Sequence, residues 1–281
     1  MKTPARLATL VEEGLVDEVL GQLMSGKEAT VYVVRCGEDI RCAKVYKEAS
    51  QRSFRHNASY QEGRKVRNSR QARAMEKGSR FGRKMQEEVW QSAEVDALYR
   101  LAAAGVRVPQ PHLCYEGVLL MDLIVDANGD AAPRLNDVEL SDELALEFHA
   151  LLINQVVRML CAGIIHGDLS EYNILVGEDG PVIIDVPQAI DAAGNSNAAE
   201  MFARDVINLR TYFSAFAPSL ADTQFGKEIW AHYESGSLTP DLALTGYVVA
   251  DERLADVDAV LQQVDLAIKE NEIRRMCKED Q

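Results

Sequence analysis

The sequence is short of cysteine and of the spacings that give cysteine a structural job. Its five cysteines stand at 36, 42, 114, 161 and 277. None belongs to a CxxC pair and the number is odd, which excludes a zinc knuckle and a disulfide framework. The expectation is a reduced, cytoplasmic setting. Long apolar runs are also lacking. Glu12, Glu13, Asp17 and Glu18 break up Met1 to Gly21, so no signal peptide is read there. The most apolar stretch, Leu151 to Ile165, contains Asn154, Gln155 and Arg158 and reads as too short and too polar to span a bilayer. No repeat of fixed period shows, and there is no Gly-x-Gly-x-x-Gly.

What remains is an ordinary globular composition, with 47% hydrophobic and 26% charged residues over 281 positions. That suffices for one large domain, or for two lobes around a cleft. The net charge of −14 argues against nucleic-acid binding, but it is unevenly spread. Residues 41–90 carry fourteen Lys/Arg against five Asp/Glu, a balance of +9. Residues 91–281 carry twelve against thirty-two, a balance of −20. A basic insert in an acidic body can mark a contact surface.

Along the chain, Leu7, Leu10, Val11, Leu15 and Val19 have helical spacing and predict a helix from Arg6 to Leu20, weakened by Gly14. Thr30 to Arg35 and Arg41 to Tyr46 read as a hairpin of β-branched strands turning at Gly37-Glu38-Asp39. Residues 48–86 are polar and basic and read as a mobile excursion. An amphipathic helix follows from Val89 to Leu101, then a connection at Pro109 and Pro111, and a strand from Gly117 to Ile124. Ser141-Asp142-Glu143 opens the next helix with a cap and acidic first-turn residues. Short strands at Ile174–Val176 and Val182–Ile184 turn at Gly177 to Gly180, and mostly helix follows from Asn197. Strands first and helices later indicate an α+β chain of two lobes, 1–122 and 123–281.

The strongest chemical signal is His166-Gly-Asp-Leu-Ser-Glu-Tyr-Asn173, followed by Ile184-Asp185. Phosphoryl transfer needs positioning and charge neutralisation more than covalent help. In that pattern Asp168 accepts a proton from an attacking hydroxyl, while Asn173 and Asp185 offer hard oxygens to one magnesium ion. A second signal is Ser25-Gly26-Lys27-Glu28-Ala29 before the first hairpin strand; its amides could approach phosphates, or it could be a plain turn. A third is Lys44 inside a strand. It either faces solvent or pairs with phosphates, and Glu94 is its candidate acid partner on the following helix.

Together these residues resemble the RIO family of atypical serine/threonine protein kinases, in its first, bacterial-type branch. The likeness runs over Met24 to Tyr32, Ala43 to Lys47, Trp90 with Glu94, His166 to Asn173, and Ile183 to Gln188. It extends from about Leu7 to Phe213, including Arg204-Asp205. The resemblance implies a compact bilobal kinase fold and ATP held by Ser25, Gly26, Lys27, Glu28 and Lys44. It implies adenine against Met121 and the backbone of Asp122 and Ile124, with Ser170 near the phosphates. Asp168, Lys44, Glu94 and Asp185 would be catalytic, and Asn173 and Asp185 would hold magnesium, with manganese as a substitute. His166 would hold the loop in shape.

Two departures from ordinary protein kinases stand out: Val186-Pro187 follows Asp185, and no Ala-Pro-Glu precedes Arg204. A platform for peptide substrates is therefore missing. The family implication is transfer to Ser/Thr, including autophosphorylation, or ATP hydrolysis through a phosphorylated Asp185. Met24 and Ser25 stand where the family's loop has Ser-Thr, and Asn195 and Asn197 where histidine is common. The basic insert over 52–84 suggests ribosomal RNA or a ribosomal particle as partner, in line with the family's role in ribosome assembly. Two alternatives stay open: a nucleotide-gated RNA-binding ATPase switch and a small-molecule kinase.

Overall fold

The computed structural model describes residues 4–47 and 80–247, with the side chains of 80–91 excepted. Helix α1 spans Ala5–Glu12 and stops well short of Leu20. Gly14 takes φ +69°, the left-handed conformation that ends helices, and the N–H groups of Leu15 and Val16 both turn back onto the Leu10 carbonyl. The chain beyond becomes strand β1 (Glu18–Ser25) instead of helix.

β1 pairs with β2 (Ala29–Cys36), and β2 with β3 (Asp39–Tyr46). β3 then pairs with β5 (Val118–Asp122), and β5 with β4 (Pro111–Tyr115), giving an antiparallel sheet of order β1-β2-β3-β5-β4. The Pro109–Pro111 connection is in fact the entry to β4. Pro111 opens an edge strand, where a missing ladder N–H is tolerated. Strand alternation sorts the sheet's two faces. Tyr32, Val34, Ala43, Val45, Val118 and Leu120 face outward and are covered by Leu7, Leu10 and Val16. The neighbouring positions Cys42 and Lys44, opposite Met121 and Leu119, face inward.

Helix α2 runs Arg80–Ala103, starting well before Val89 and taking in the end of the basic stretch. Residues 48–79 of that stretch lie outside the described residues, so the reading of a mobile excursion falls there. Val95, Leu98 and Leu101 of α2 are buried, and the helix packs against β4.

Helix α3 (Asp142–Cys161) opens as its cap predicts: Ser141 Oγ accepts from Leu144 N–H at 3.2 Å. It is 20 residues long and, by length and composition alone, apolar enough to cross a membrane. Phe148, Leu152, Val156 and Leu160 are buried inside the lobe instead, against β6 (Ile164–Ile165), β8 (Gly180–Ile183), α4 (Ala198–Ser214) and α5 (Phe225–Glu234). β7 (Ile174–Gly177) and β8 form a hairpin, and β6 pairs with β9 (Ile190–Asp191). One core joins the sheet's inner face to the helices, from Tyr46, Leu98 and Leu119 to Leu152, Ile183 and Phe213. The result is a bilobal α+β kinase-like fold with β3, α2 and β8 converging on one cleft.

Candidate active site

Lys44 does not face solvent. Its Nζ donates to Glu94 Oε1 at 2.6 Å and to Asp185 Oδ1 at 2.6 Å. Lys44 is 8% exposed and Glu94 3%, whereas the Asp185 side chain keeps 43% of its surface. Burial works against the Lys44 charge, but Glu94 and Asp185 outweigh it and hold the ammonium well above its usual pKa. Lys44 in turn holds the Asp185 carboxyl below the usual aspartate value, against burial. Tyr46, on the same strand, places its ring 5.7 Å from Lys44 Nζ. Burial, and then the Glu94 charge, push the Tyr46 hydroxyl well up, so it stays neutral beside the pair.

Asp185 has φ +62°, an uncommon conformation that aspartate tolerates better than most residues. It lies just past β8, whose Ile183 N–H is bound to the Arg107 carbonyl at 2.8 Å. Cys42 shares the inner face with Lys44, and burial pushes its thiol up to about 12, with Lys44 opposing. It is a neutral wall of the cleft.

The 166–173 loop is held at several points. Asp168 N–H donates to His166 Nδ1 at 3.3 Å, so His166 Nε2 carries the proton it gives to the Ile184 carbonyl at 3.1 Å. His166 thereby ties this loop to Ile184, between β8 and Asp185. Asn173 Nδ2 donates to the Asp168 carbonyl at 2.9 Å, which turns the amide oxygen the other way. Ser170 precedes the 3₁₀ turn Glu171–Asn173, and its backbone carbonyl accepts from Asn173 N–H at 2.9 Å. Asp168 is exposed at the loop's surface. Burial, opposed by His166 and Arg204, raises its carboxyl above the usual value.

The Gly26 loop joins β1 to β2, and Gly26 N–H donates to the Ala29 carbonyl at 2.9 Å. Ser25 Oγ lies 3.3 Å from Thr30 Oγ1. Lys47 reaches back to Ser25 Oγ at 3.3 Å and to the Gly26 carbonyl. Lys27 is exposed, and Glu28 accepts from Lys47 N–H at 2.9 Å through its carbonyl. After Met121, Asp122 N–H is taken by the Gln110 carbonyl at 3.0 Å. The Ile124 carbonyl is taken by Ala132 N–H at 2.9 Å. Of the backbone groups expected to meet adenine, these two are already engaged. His112, to which the sequence gave no role, sits with Nε2 2.6 Å from Asp122 Oδ1. Trp90 lies in α2, but its side chain falls outside the described residues.

Two residues that carry the site received no role from sequence. Asp205, 2% exposed, accepts from Gly167 N–H at 2.7 Å and from Leu169 N–H at 3.0 Å. It therefore grips the loop on both sides of Asp168, while Arg204 donates to the Gly167 carbonyl. The signal was present: an acid at helical spacing among Ala198, Met201, Phe202, Val206 and Leu209 on the buried face of α4. The other is Arg134, whose Nη1 donates to the Tyr172 carbonyl at 2.7 Å. Nothing in the sequence singled it out.

Known proteins bear on this geometry. The family model described as RIO domain matches residues 30–225. The chain is 34% identical over 214 residues to the RIO-type serine/threonine-protein kinase Rio1 of Haloferax volcanii, covering 75% of this chain and 68% of that one. It is 32% identical over 214 residues to the Rio1 of Methanocaldococcus jannaschii, with the same coverage of 75% and 68%. Against the serine/threonine-protein kinase rio1 of Schizosaccharomyces pombe it is 30% identical over 218 residues, covering 75% of this chain but 41% of that longer one. A solved kinase domain gives a TM-score of 0.43 at 10% identity, covering 72% of this chain and 65% of that chain, too slight a likeness to argue from. With the family model spanning β3, α2, the 166–173 loop and β8, the chain belongs to the RIO family and is a phosphotransferase of the serine/threonine-protein kinase class.

Proposed function

We propose that this chain binds ATP with magnesium in the cleft between sheet and helices and transfers the γ-phosphate to a Ser or Thr hydroxyl, its own included. The observation that carries the reading is Lys44 Nζ held at 2.6 Å by both Glu94 and Asp185. A buried ammonium clamped at that point is set to meet phosphate oxygens. In this reading the Gly26 loop covers the phosphates, and Asp122 and Ile124 present backbone groups to adenine beside Met121. Asp168 takes the hydroxyl proton as the oxygen attacks the γ-phosphorus and the bond to the β-phosphate oxygen breaks.

The donor set fits a hard divalent cation: the Asn173 amide oxygen, turned away from Asp168, and the Asp185 carboxylate. No group of three or more His, Cys, Asp or Glu among the described residues could hold a metal, so the phosphates themselves would complete its shell. Bound there, magnesium would neutralise charge building on the phosphate oxygens. In that role Asp185 would give up its contact with Lys44, and Glu94 would keep Lys44 in place.

With no Ala-Pro-Glu platform, transfer can also end on the chain itself or on water. A carboxylate oxygen of Asp185 attacking the γ-phosphorus would give an acyl phosphate and ADP, and water would then return the carboxylate and phosphate. Incubation with γ-labelled ATP and magnesium separates these ends. Label stable to hydroxylamine marks Ser or Thr, and label lost to it marks Asp185. Asp168→Ala and Asp185→Ala variants that keep full labelling would refute the assignment.

A second reading rests on the charge balance of +9 over residues 41–90. There the turnover would reset a complex with RNA through the basic insert. It predicts RNA binding that falls steeply with salt; an insert-neutralised variant with unchanged RNA affinity would refute it.

A further inference from the structure

Arg134 belongs to one wall of the cleft and touches the other. Its backbone pairs with Leu175 of β7, and the carbonyl before it, at Pro133, accepts from Val176 N–H at 2.9 Å. The residue is therefore fixed to the β7–β8 hairpin of the helical lobe. Its guanidinium donates through Nη1 to the Tyr172 carbonyl at 2.7 Å, one residue before Asn173. Nη2 lies 3.2 Å from Sδ of Met24, in the last turn of β1 before the Gly26 loop. The planar fork of a guanidinium suits such a bridge, because its donors diverge from a rigid centre. A thioether is a soft, weak acceptor on a long arm. The guanidinium charge is also felt at Asp185, where it adds to Lys44 and His166 in favouring the carboxylate.

We propose that Arg134 is a positioning residue that clasps the strand entering the phosphate loop, through Met24, to the catalytic loop, through Tyr172, and so sets how fast nucleotide enters and leaves. This rests on the reading of the cleft as an ATP site. Met24 and Tyr172 are 37% and 54% exposed, so the clasp sits at the surface and can open without unfolding either lobe. It acts on the walls of the cleft and not on one phosphate, so ATP and ADP feel it alike.

The test is stopped-flow release of fluorescent ATP and ADP analogues, with magnesium, from wild type, Arg134→Met, Met24→Leu and the double variant. Arg134→Met keeps length and removes the donors; Met24→Leu keeps volume and removes the sulfur. Expected is a release rate about five-fold faster for Arg134→Met, as for loss of the two exposed hydrogen bonds its guanidinium donates. Met24→Leu should shift it the same way by less, and the double variant should go no further than Arg134→Met. Without nucleotide, amide hydrogen exchange over residues 24–28 should quicken in both single variants. Additive effects, unchanged release with unchanged exchange, or a loss confined to ATP would overturn the clasp; the last would make Arg134 a γ-phosphate contact. Wild type that binds neither analogue would instead overturn the ATP site itself, and the exchange measurement would still decide whether the walls are coupled.

Discussion

Asp205 offers the sharpest separation of binding from chemistry. Its two carboxylate oxygens hold Gly167 N–H and Leu169 N–H, and all three residues are buried. Replacing it with alanine leaves two buried donors unpaired, each costing about 1–3 kcal/mol. Part of that is offset, because burial already disfavours the Asp205 charge and raises its pKa. A net loss of about 2–4 kcal/mol follows for Asp205→Ala. Asp205→Asn keeps the shape but can accept from only one of the two donors, so about half that loss is expected. Asp168 lies between the two anchored amides, and a shift of roughly 1 Å in a reacting group can cost about a hundred-fold in rate. Asp205 holds Gly167 and Leu169 and not Lys44, Asp122 or Ile124, so ATP affinity should stay within about two-fold for both variants. Urea unfolding gives the stability, calorimetric titration the affinity, and labelled-phosphate transfer below the variants' melting range gives the rate. An Asp205→Ala protein that unfolds with wild type and transfers phosphate at the wild-type rate would refute the anchoring role.

Glu94→Gln removes the charge that keeps Lys44 in place once Asp185 turns to the metal. Stability should fall by about 2 kcal/mol, since Asp185 still pairs with Lys44 in the free protein, while phosphate transfer should drop by about two orders of magnitude. With Asp168 as the proposed base, transfer would need it deprotonated, and its carboxyl lies above the usual value through burial. The acid limb of a kcat/KM profile should therefore lie above pH 3.8, and an acid limb at or below that value would count against Asp168 as base. His149 is buried between Phe213 and Phe225, and burial lowers its pKa from 6.5 to about 4. A depressed folded pKa means that stability is present above 6.5 and lost as pH falls towards about 4. The loss should reach about 2–3 kcal/mol at the bottom of that window, measured by urea unfolding against pH, and His149→Phe should lose this part of the slope.

The part of the site legible in the sequence is the part whose geometry is local. His166, Asp168 and Asn173 share one loop, and Ser141 announces α3 by a cap that needs only the next turn. Lys44 and Glu94 were readable only as a pair of candidates, because their meeting depends on how α2 lies against the sheet. β1 was missed because it is an edge strand in which only Val19 and Gly21 are half-buried, so little alternation of apolar residues marks it. β4 was missed because proline reads as a connection until the edge position is known. Gly14 mattered more than the apolar spacing around it, since a left-handed residue stops a helix whatever follows. Arg134 and Asp205 work through backbone groups some 40 residues away in sequence, Tyr172 and Gly167. A carbonyl or an N–H has no residue identity to recognise.

The three-way contact of Lys44, Glu94 and Asp185 lies at the centre of the proposed site. The most direct test is calorimetric titration of ATP, with and without magnesium, into wild type, Lys44→Met and Asp185→Asn. Predicted are binding by wild type that tightens with magnesium, affinity weakened about ten-fold or more in Lys44→Met under both conditions, and loss of the magnesium effect alone in Asp185→Asn. Wild-type affinity in Lys44→Met, or an undiminished magnesium effect in Asp185→Asn, would contradict it.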